Sequence, residues 1–339
     1  VSAPARVCLV KLGAIGDVVN SLPLLHRLRA AWPEAHLAWV IAPLAHGLVE
    51  GLEAVDRFHL LDLTRPRSVP AVLRELRAQR FELVIDLQRI LKSGLVTRAS
   101  GAPRRLGFDR ARCKEASWLF TNERIPPNPA PGVTVAQYLE FADHLGLPPS
   151  PLRWELPLVP WRGAAPAVCL NLGASKPANL WPTERWAELA ARLAERLGPE
   201  RVALSGGPSD RAAAEAVLAR VPPGIVDAVG KLSLKESAGL IAASGVFVSG
   251  DTGPLHMAVA TATPVVALYG AADPGRTGPF GQAEAVLRHP VPCAPCRKRE
   301  CFVAGHPCMT GLEVESVLER VLRRATPQDA PERTAAPGQ

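Results

Sequence analysis

Residues 246–270 read VFVSGDTGPLHMAVATATPVVALYG, and this stretch decides the fold. Val246 to Ser249 is a continuous apolar run ended by glycine, the pattern of a strand buried on both faces. A helix is predicted from about Pro254, and a second buried strand from Pro264 to Tyr269. Strand, helix and strand in such close order predict a parallel sheet covered by helices. The turn GDTGP then falls at the carboxyl edge of that sheet, where open α/β folds bind ligands. Gly250 and Gly253 let backbone approach a ligand closely, and the helix start offers unpaired N–H groups to an anion. Asp251, Thr252 and His256 add a carboxylate, a hydroxyl and an imidazole at the same mouth. The competing reading is structural: a Thr or Asp that only caps the helix.

The alternation recurs on either side. RVCLV (6–10) reads as a strand, then KLGAIGD as a turn, then a helix ended by Trp32 and Pro33. FHLLDL (58–63) and FELVIDL (81–87) read as further strands with the helix VPAVLRELRAQR between them. A proline-rich stretch follows, and a fresh series begins with AVCLNLG, TERWAELAARLAERLG, RVALSGG and PSDRAAAEAVLARV. The expected organisation is a Rossmann-like domain over 1–150, a linker over 151–165, and a second Rossmann-like domain over 166–324. Residues 325–339 read as a disordered tail. The fold class expected is α/β, two such domains facing across a cleft that is the default site.

Charge and composition exclude several classes. The 339 residues carry a net charge of +7 with an uneven spread of Arg, which favours an anionic partner on one face. No nucleic-acid-binding motif or aromatic-interleaved basic stripe appears, so nucleic acid is not expected. No apolar run reaches spanning length and no signal peptide is recognisable, which reads as a soluble cytoplasmic protein. The first turn has Gly13 and Gly16 without the three-glycine dinucleotide spacing, and HLAWVIAP ends without a ribose-binding acid. Hydride transfer on a dinucleotide is therefore disfavoured.

What the first turn does offer is Lys11 and Asp17 at the sheet edge. A helix N-terminus keeps Asp17 ionised, ready either to cap or to take a proton. Arg89, Lys92, Arg98, Arg104, Arg105, Arg110, Arg112 and Lys114 crowd a loop-rich segment after FELVIDL, a surface for carboxylates or phosphates as much as for water. Cys293, Cys296, Cys301 and Cys308 lie in the basic loop CAPCRKRECFVAGHPC. They read as a metal-free local fold, with a zinc site using His306 as spare ligand the alternative.

The motifs VKLGAIGDVVNSLP, IDLQRILKSGL, RRLGFDR, NLGASKPANLWPTERW, SGGPSD, SGDTGPLHMA and VVALYGAADPGRTGPFG together resemble the lipopolysaccharide heptosyltransferases, glycosyltransferase family nine, of GT-B fold. The likeness runs from Arg6 to about Arg323 and is greatest to the first heptosyltransferase. It implies inverting transfer of heptose from ADP-heptose to Kdo on lipid A or an inner-core acceptor, without metal or cofactor. It places the enzyme peripherally at the cytoplasmic face of the inner membrane. By that likeness Asp17 is the catalytic base. Lys176, Asn179, Asp210, Asp251, Thr252, Gly253 and His256 bind the donor; Lys11, Lys92, Arg98, Arg104 and Arg105 are the candidates for the anionic acceptor. The pattern is departed from in four places. Asn179 stands where the family carries Lys, Asp210 replaces Glu, Asn20 replaces His, and Leu12-Gly13-Ala14 lacks small hydroxyls. Another nucleotide sugar, or a silent nucleotide-sugar-binding protein, is the alternative.

Overall fold

The computed structural model describes residues 3–325. The chain divides into two compact units, one ending at Pro157 and the other beginning at Leu158. Between His144 and Val168 it forms neither helix nor strand, as the fixed φ and missing N–H of its prolines dictate. The expected tail lies outside the described residues, apart from Ala325, which ends the last helix.

The first unit holds six parallel strands: β1 (Arg6–Val10), β2 (His36–Ile41), β3 (Arg57–Leu60), β4 (Leu83–Asp86), β5 (Arg104–Gly107) and β6 (Glu123–Arg124). Their order is β3-β2-β1-β4-β5-β6, so the winding reverses between β1 and β4. That reversal opens a crevice at the carboxyl ends of these two strands. The helices Ile15–Ala31 and Thr134–His144 pack on each other, and β1 and β2 are buried almost throughout.

Strand ends differ from the sequence reading for local reasons. The run 58–63 leaves the sheet after Leu60, and Asp62 Oδ1 folds the chain away by accepting from Thr64 N–H (2.9 Å) and Oγ1 (2.6 Å). The basic segment is not loop throughout. It forms the helix Leu91–Ala99 and then β5. Gly94 allows that helix to lie on Phe120, where an added Cβ would sit 2.7 Å from the ring. Buried Val96 and Leu106 then anchor a stretch whose charges suggested exposure.

The second unit repeats the design with β7 (Val168–Asn171), β8 (Val202–Ser205), β9 (Val226–Asp227), β10 (Val246–Gly250), β11 (Val265–Tyr269) and β12 (Val286–Arg288), again all parallel. The order β12-β11-β10-β7-β8-β9 reverses between β10 and β7. The stretch that decided the fold therefore lies at the switch point, with β10 at its centre. β11 starts at Val265 and not Pro264, since proline has no N–H for the ladder. Trp181 and Trp186 meet edge to face at 4.8 Å, and Trp181 Nε1–H donates to Leu312 O at 3.1 Å. Such a ring pair contributes about 0.5–1.5 kcal/mol beyond its area. It locks the Asn-Leu-Trp-Pro turn onto the helix Val314–Ala325, whose Val317, Leu318 and Val321 complete the core. Among the described residues no helix is long and apolar enough to cross a membrane.

Candidate functional site

Two turns flank the second unit's switch point, one after β7 and one after β10. A buried polar chain joins them. Asn171 Nδ2 donates to Gly173 O and to Ser249 Oγ, both at 3.1 Å, and the Ser249 and Thr252 hydroxyls lie 2.9 Å apart. Thr252 occupies the N-cap position of the helix Gly253–Ala260 but makes no side-chain cap bond; its hydroxyl is committed to Ser249. The simple capping role therefore fails for Thr252. Gly250 lets the two turns approach each other closely, since a Cβ there would lie 3.1 Å from Asn179 O on the turn after β7.

Asp251 projects beside Asn179, whose Nδ2 is 3.5 Å from Oδ2, and beside the Tyr269 hydroxyl, 3.4 Å from Oδ1. Burial pushes the Asp251 carboxyl above its ordinary range, opposed by the charges of His256 and Lys176 and by hydrogen bonds from Thr277 and Tyr269. Lys176, Asn179 and Asp251 line one small cavity of about 30 Å³ together with Ala272, Asp273, Arg276, Thr277, Arg297 and Lys298. His256 is buried on the following helix. Asp210 closes the neighbouring turn after β8: its Oδ2 accepts from Gly207 N–H at 2.8 Å, and a Cβ on Gly173 would collide with the carboxylate. The structure thus gathers the expected donor residues around the ends of β7, β8 and β10. Tyr269, Thr277 and the cations at 276, 297 and 298 were missed, because they come from distant segments with no motif spacing to mark them.

In the first unit, Lys11 follows β1 and is only 2 % exposed; its Nζ reaches Asp17 Oδ2 at 2.8 Å. Burial opposes the Lys11 charge, but Tyr138 and Asp17 outweigh it and raise the pKa above the ordinary lysine value. Asp17 sits in the first helical turn, where the helix dipole favours a carboxylate, while the N-cap position is Ala14. The Gln88 side chain after β4 accepts from Leu12 N–H at 3.1 Å and so ties the two switch-point turns. Sequence reading gave Lys11 to the acceptor; the structure puts its ammonium on Asp17.

The other acceptor candidates separate by edge. Lys92 is exposed in the first turn of its helix, at the carboxyl side of the sheet. Arg104 opens β5 and is in register with Leu83, which is in register with Val7. That is four residues short of Lys11, about 13 Å along the strand direction. Arg104 is also held by Glu123 through two bonds of 3.0 Å, and Arg105 donates to Phe120 O and Ala102 O. Arg98 ends the returning helix and faces Arg105, whose pKa is lowered by burial and by the Arg98 charge. The structure does not bring Arg98, Arg104 and Arg105 to Asp17. Parallel winding explains why: residues that open a strand and residues that follow one lie at opposite edges. The loop after β5 instead delivers Arg110 and Lys114 to the Asp17 edge.

A larger cavity of about 360 Å³ lies at the far end of the first helix, lined by His26, Arg29 and Glu155 among others. It touches none of these turns, and Arg29 is consumed by Asp56 and backbone carbonyls. All four thiols of the Cys-rich loop are free. Among the described residues no group of three or more His, Cys, Asp or Glu is arranged to hold a metal ion.

Two doubly wound sheets with anion-suited turns at their switch points are an architecture that glycosyltransferases of GT-B fold adopt. Residues 69–306 match the profile of glycosyltransferase family 9 (heptosyltransferase), and the chain belongs to that family. It is 30 % identical to lipopolysaccharide heptosyltransferase 1 of Pseudomonas aeruginosa, over 87 % of each chain. It is 25 % identical to the lipopolysaccharide core heptosyltransferase OpsX of Haemophilus influenzae, over 84 % of each. The structure is similar to E. coli heptosyltransferase WaaC with ADP, at a TM-score of 0.77 and 25 % identity, covering 94 % of this chain and 99 % of that one. The fold is GT-B, and the protein is a glycosyltransferase.

Proposed function

We propose that this enzyme transfers heptose from ADP-heptose to Kdo or the inner core of lipopolysaccharide, with inversion and with Asp17 as general base. The observation that carries the reading is the pairing of a buried Lys11 with Asp17 at the first unit's switch point. A lysine kept out of water needs a charged partner, and this one holds the carboxylate in a fixed position at the ligand-binding edge. In the reaction the acceptor hydroxyl oxygen bonds to the anomeric carbon while its proton passes to Asp17. The bond from that carbon to the β-phosphate oxygen breaks, and ADP departs with the negative charge. Thr252, the helix at Gly253, His256 and Lys176 stabilise that charge from the second unit; Asp251 holds the sugar and Asp210 the ribose. Lys11 becomes a positioning residue, and Lys92 an acceptor contact. The first unit is then the acceptor domain and the second the donor domain. ADP supports the donor choice because it accompanies the E. coli relative.

The test is turnover with ADP-heptose and a Kdo-lipid A acceptor, run beside UDP- and GDP-sugars. Transfer from ADP-heptose alone is expected; preference for another nucleotide sugar would remove the donor assignment and keep the family. Residence at the inner membrane belongs to the same reading. Leu91 and Leu95 are exposed one helical turn apart, with Lys92 beside them, which suits an anionic bilayer surface. Flotation with anionic vesicles should recover the protein, and recovery no better than with neutral vesicles would reject it.

A further inference from the structure

The Cys-rich loop lies outside the Gly-rich turns, yet it reaches the cavity beside Asp251. Arg297 N–H donates to Ala271 O at 2.8 Å, and Ala178 N–H donates to Arg299 O at 3.1 Å. His306 Nε2 lies 3.0 Å from the Ala178 carbonyl. The loop is thereby fastened to the turn that carries Lys176 and Asn179. Arg297 adopts a φ of 57°, a left-handed conformation uncommon for a residue with a Cβ, and it lines the cavity together with Lys298.

Charge at this mouth does not balance. Lys176, Arg276, Arg297 and Lys298 line it with only Asp251 and Asp273 against them. Arg297 is matched by Asp273 at 3.0 Å, whereas no described residue pairs with Lys298. The other side of the cavity holds Asn179, 4 % exposed, whose Oδ1 is buried without a hydrogen-bond partner. Buried polar atoms are ordinarily satisfied, so this oxygen points to a donor that arrives with a ligand, such as a hydroxyl. Asn179 cannot itself contribute positive charge to a phosphate.

We propose that the Cys-rich loop forms a wall of the donor site and that Lys298 supplies the diphosphate charge that Asn179 lacks. This rests on the donor-site reading above and extends it to a segment outside the Gly-rich turns. The ligand class is a nucleoside diphosphate, bare or sugar-linked, with Lys298 and Lys176 on its phosphates and Asn179 Oδ1 accepting from a hydroxyl. Because charge grows on the departing diphosphate, Lys298 acts on turnover as well as on binding.

The experiment measures ADP and adenosine binding calorimetrically for the full chain and its Lys298→Met and Lys298→Arg variants. Lys298 is exposed, so both variants should fold, and melting temperature checks this. Loss of one charge-assisted contact should weaken ADP by about tenfold to a hundredfold, with adenosine unchanged and Arg restoring most of the loss. Wild-type ADP affinity in Lys298→Met would overturn the loop's role and leave the donor site standing. A wild-type protein that binds no nucleoside diphosphate would overturn both.

Discussion

At the scale of single residues, Asp17 and Lys11 form one unit and have to be tested as one. Replacing a general base costs about two to four orders of magnitude in rate. Asp17→Asn also takes the carboxylate from the Lys11 ammonium, which is 2 % exposed and keeps Tyr138 beside it. Breaking a fully buried pair costs about 3–5 kcal/mol, and the loss here is smaller because Asp17 is 36 % exposed. A fall in melting temperature therefore does not separate base from scaffold. Lys11→Met combined with Asp17→Asn does. The double variant should regain stability relative to Asp17→Asn while turnover stays collapsed. Recovery of turnover along with stability would reduce Asp17 to a structural partner. Asp251 gives the opposite stability signature. Its pKa is raised in the fold, chiefly by burial, so the ionised form costs stability at neutral pH. Asp251→Asn mimics the protonated form; it should melt no lower than wild type and yet lose donor use strongly. A marked drop in melting temperature would argue that the carboxylate is there for the fold.

At the scale of elements, legibility followed periodicity and failed where tertiary geometry took over. The strands β1, β10 and β11 are continuous apolar runs, and their turns could be read directly from VKLGAIGD and SGDTGP. β5 and β6 were hidden because Arg104, Arg105, Glu123 and Arg124 are charged, and only Leu106 and Gly107 face the core. Sheet edge was equally illegible. Arg104 and Lys114 are ten positions apart in the same basic run, but strand pairing sends them to opposite ends of the sheet. The register yields a ranking that charge density could not. Lys92→Ala and Lys114→Ala should raise the acceptor KM and weaken its salt dependence, whereas Arg105→Ala should leave acceptor kinetics close to wild type. Donor affinity should be unchanged in all three. If Arg105→Ala gave the largest acceptor effect, the acceptor would have to reach the amino edge of the sheet, and the placement beside Asp17 would be wrong.

At the scale of the whole molecule, its response to acid opposes that of the cavity beside Asp251. Burial alone would raise Asp56, but hydrogen bonds from Arg29 and the Leu37 amide overcome it and hold the carboxyl below the ordinary range. Asp227 follows the same pattern, with burial outweighed by Lys231 at 2.7 Å and Arg211 at 2.9 Å. One lies in each unit, so neither unit escapes the effect. A depressed folded pKa means that the stabilisation is present above the unfolded value of about 3.9 and is lost as pH falls through the lower folded value. Melting temperature should thus decline from roughly pH 5 downward, as paired carboxylates are forced to protonate. Asp251 runs the other way, since protonation relieves a buried charge. Asp227→Asn isolates one contribution. It should melt lower than wild type at pH 6, and the gap should narrow toward pH 3, because wild type loses there what the variant never had. Parallel curves across that range would mean that Asp227 pairs equally well in the unfolded chain, and acid sensitivity would have to be sought in other carboxylates.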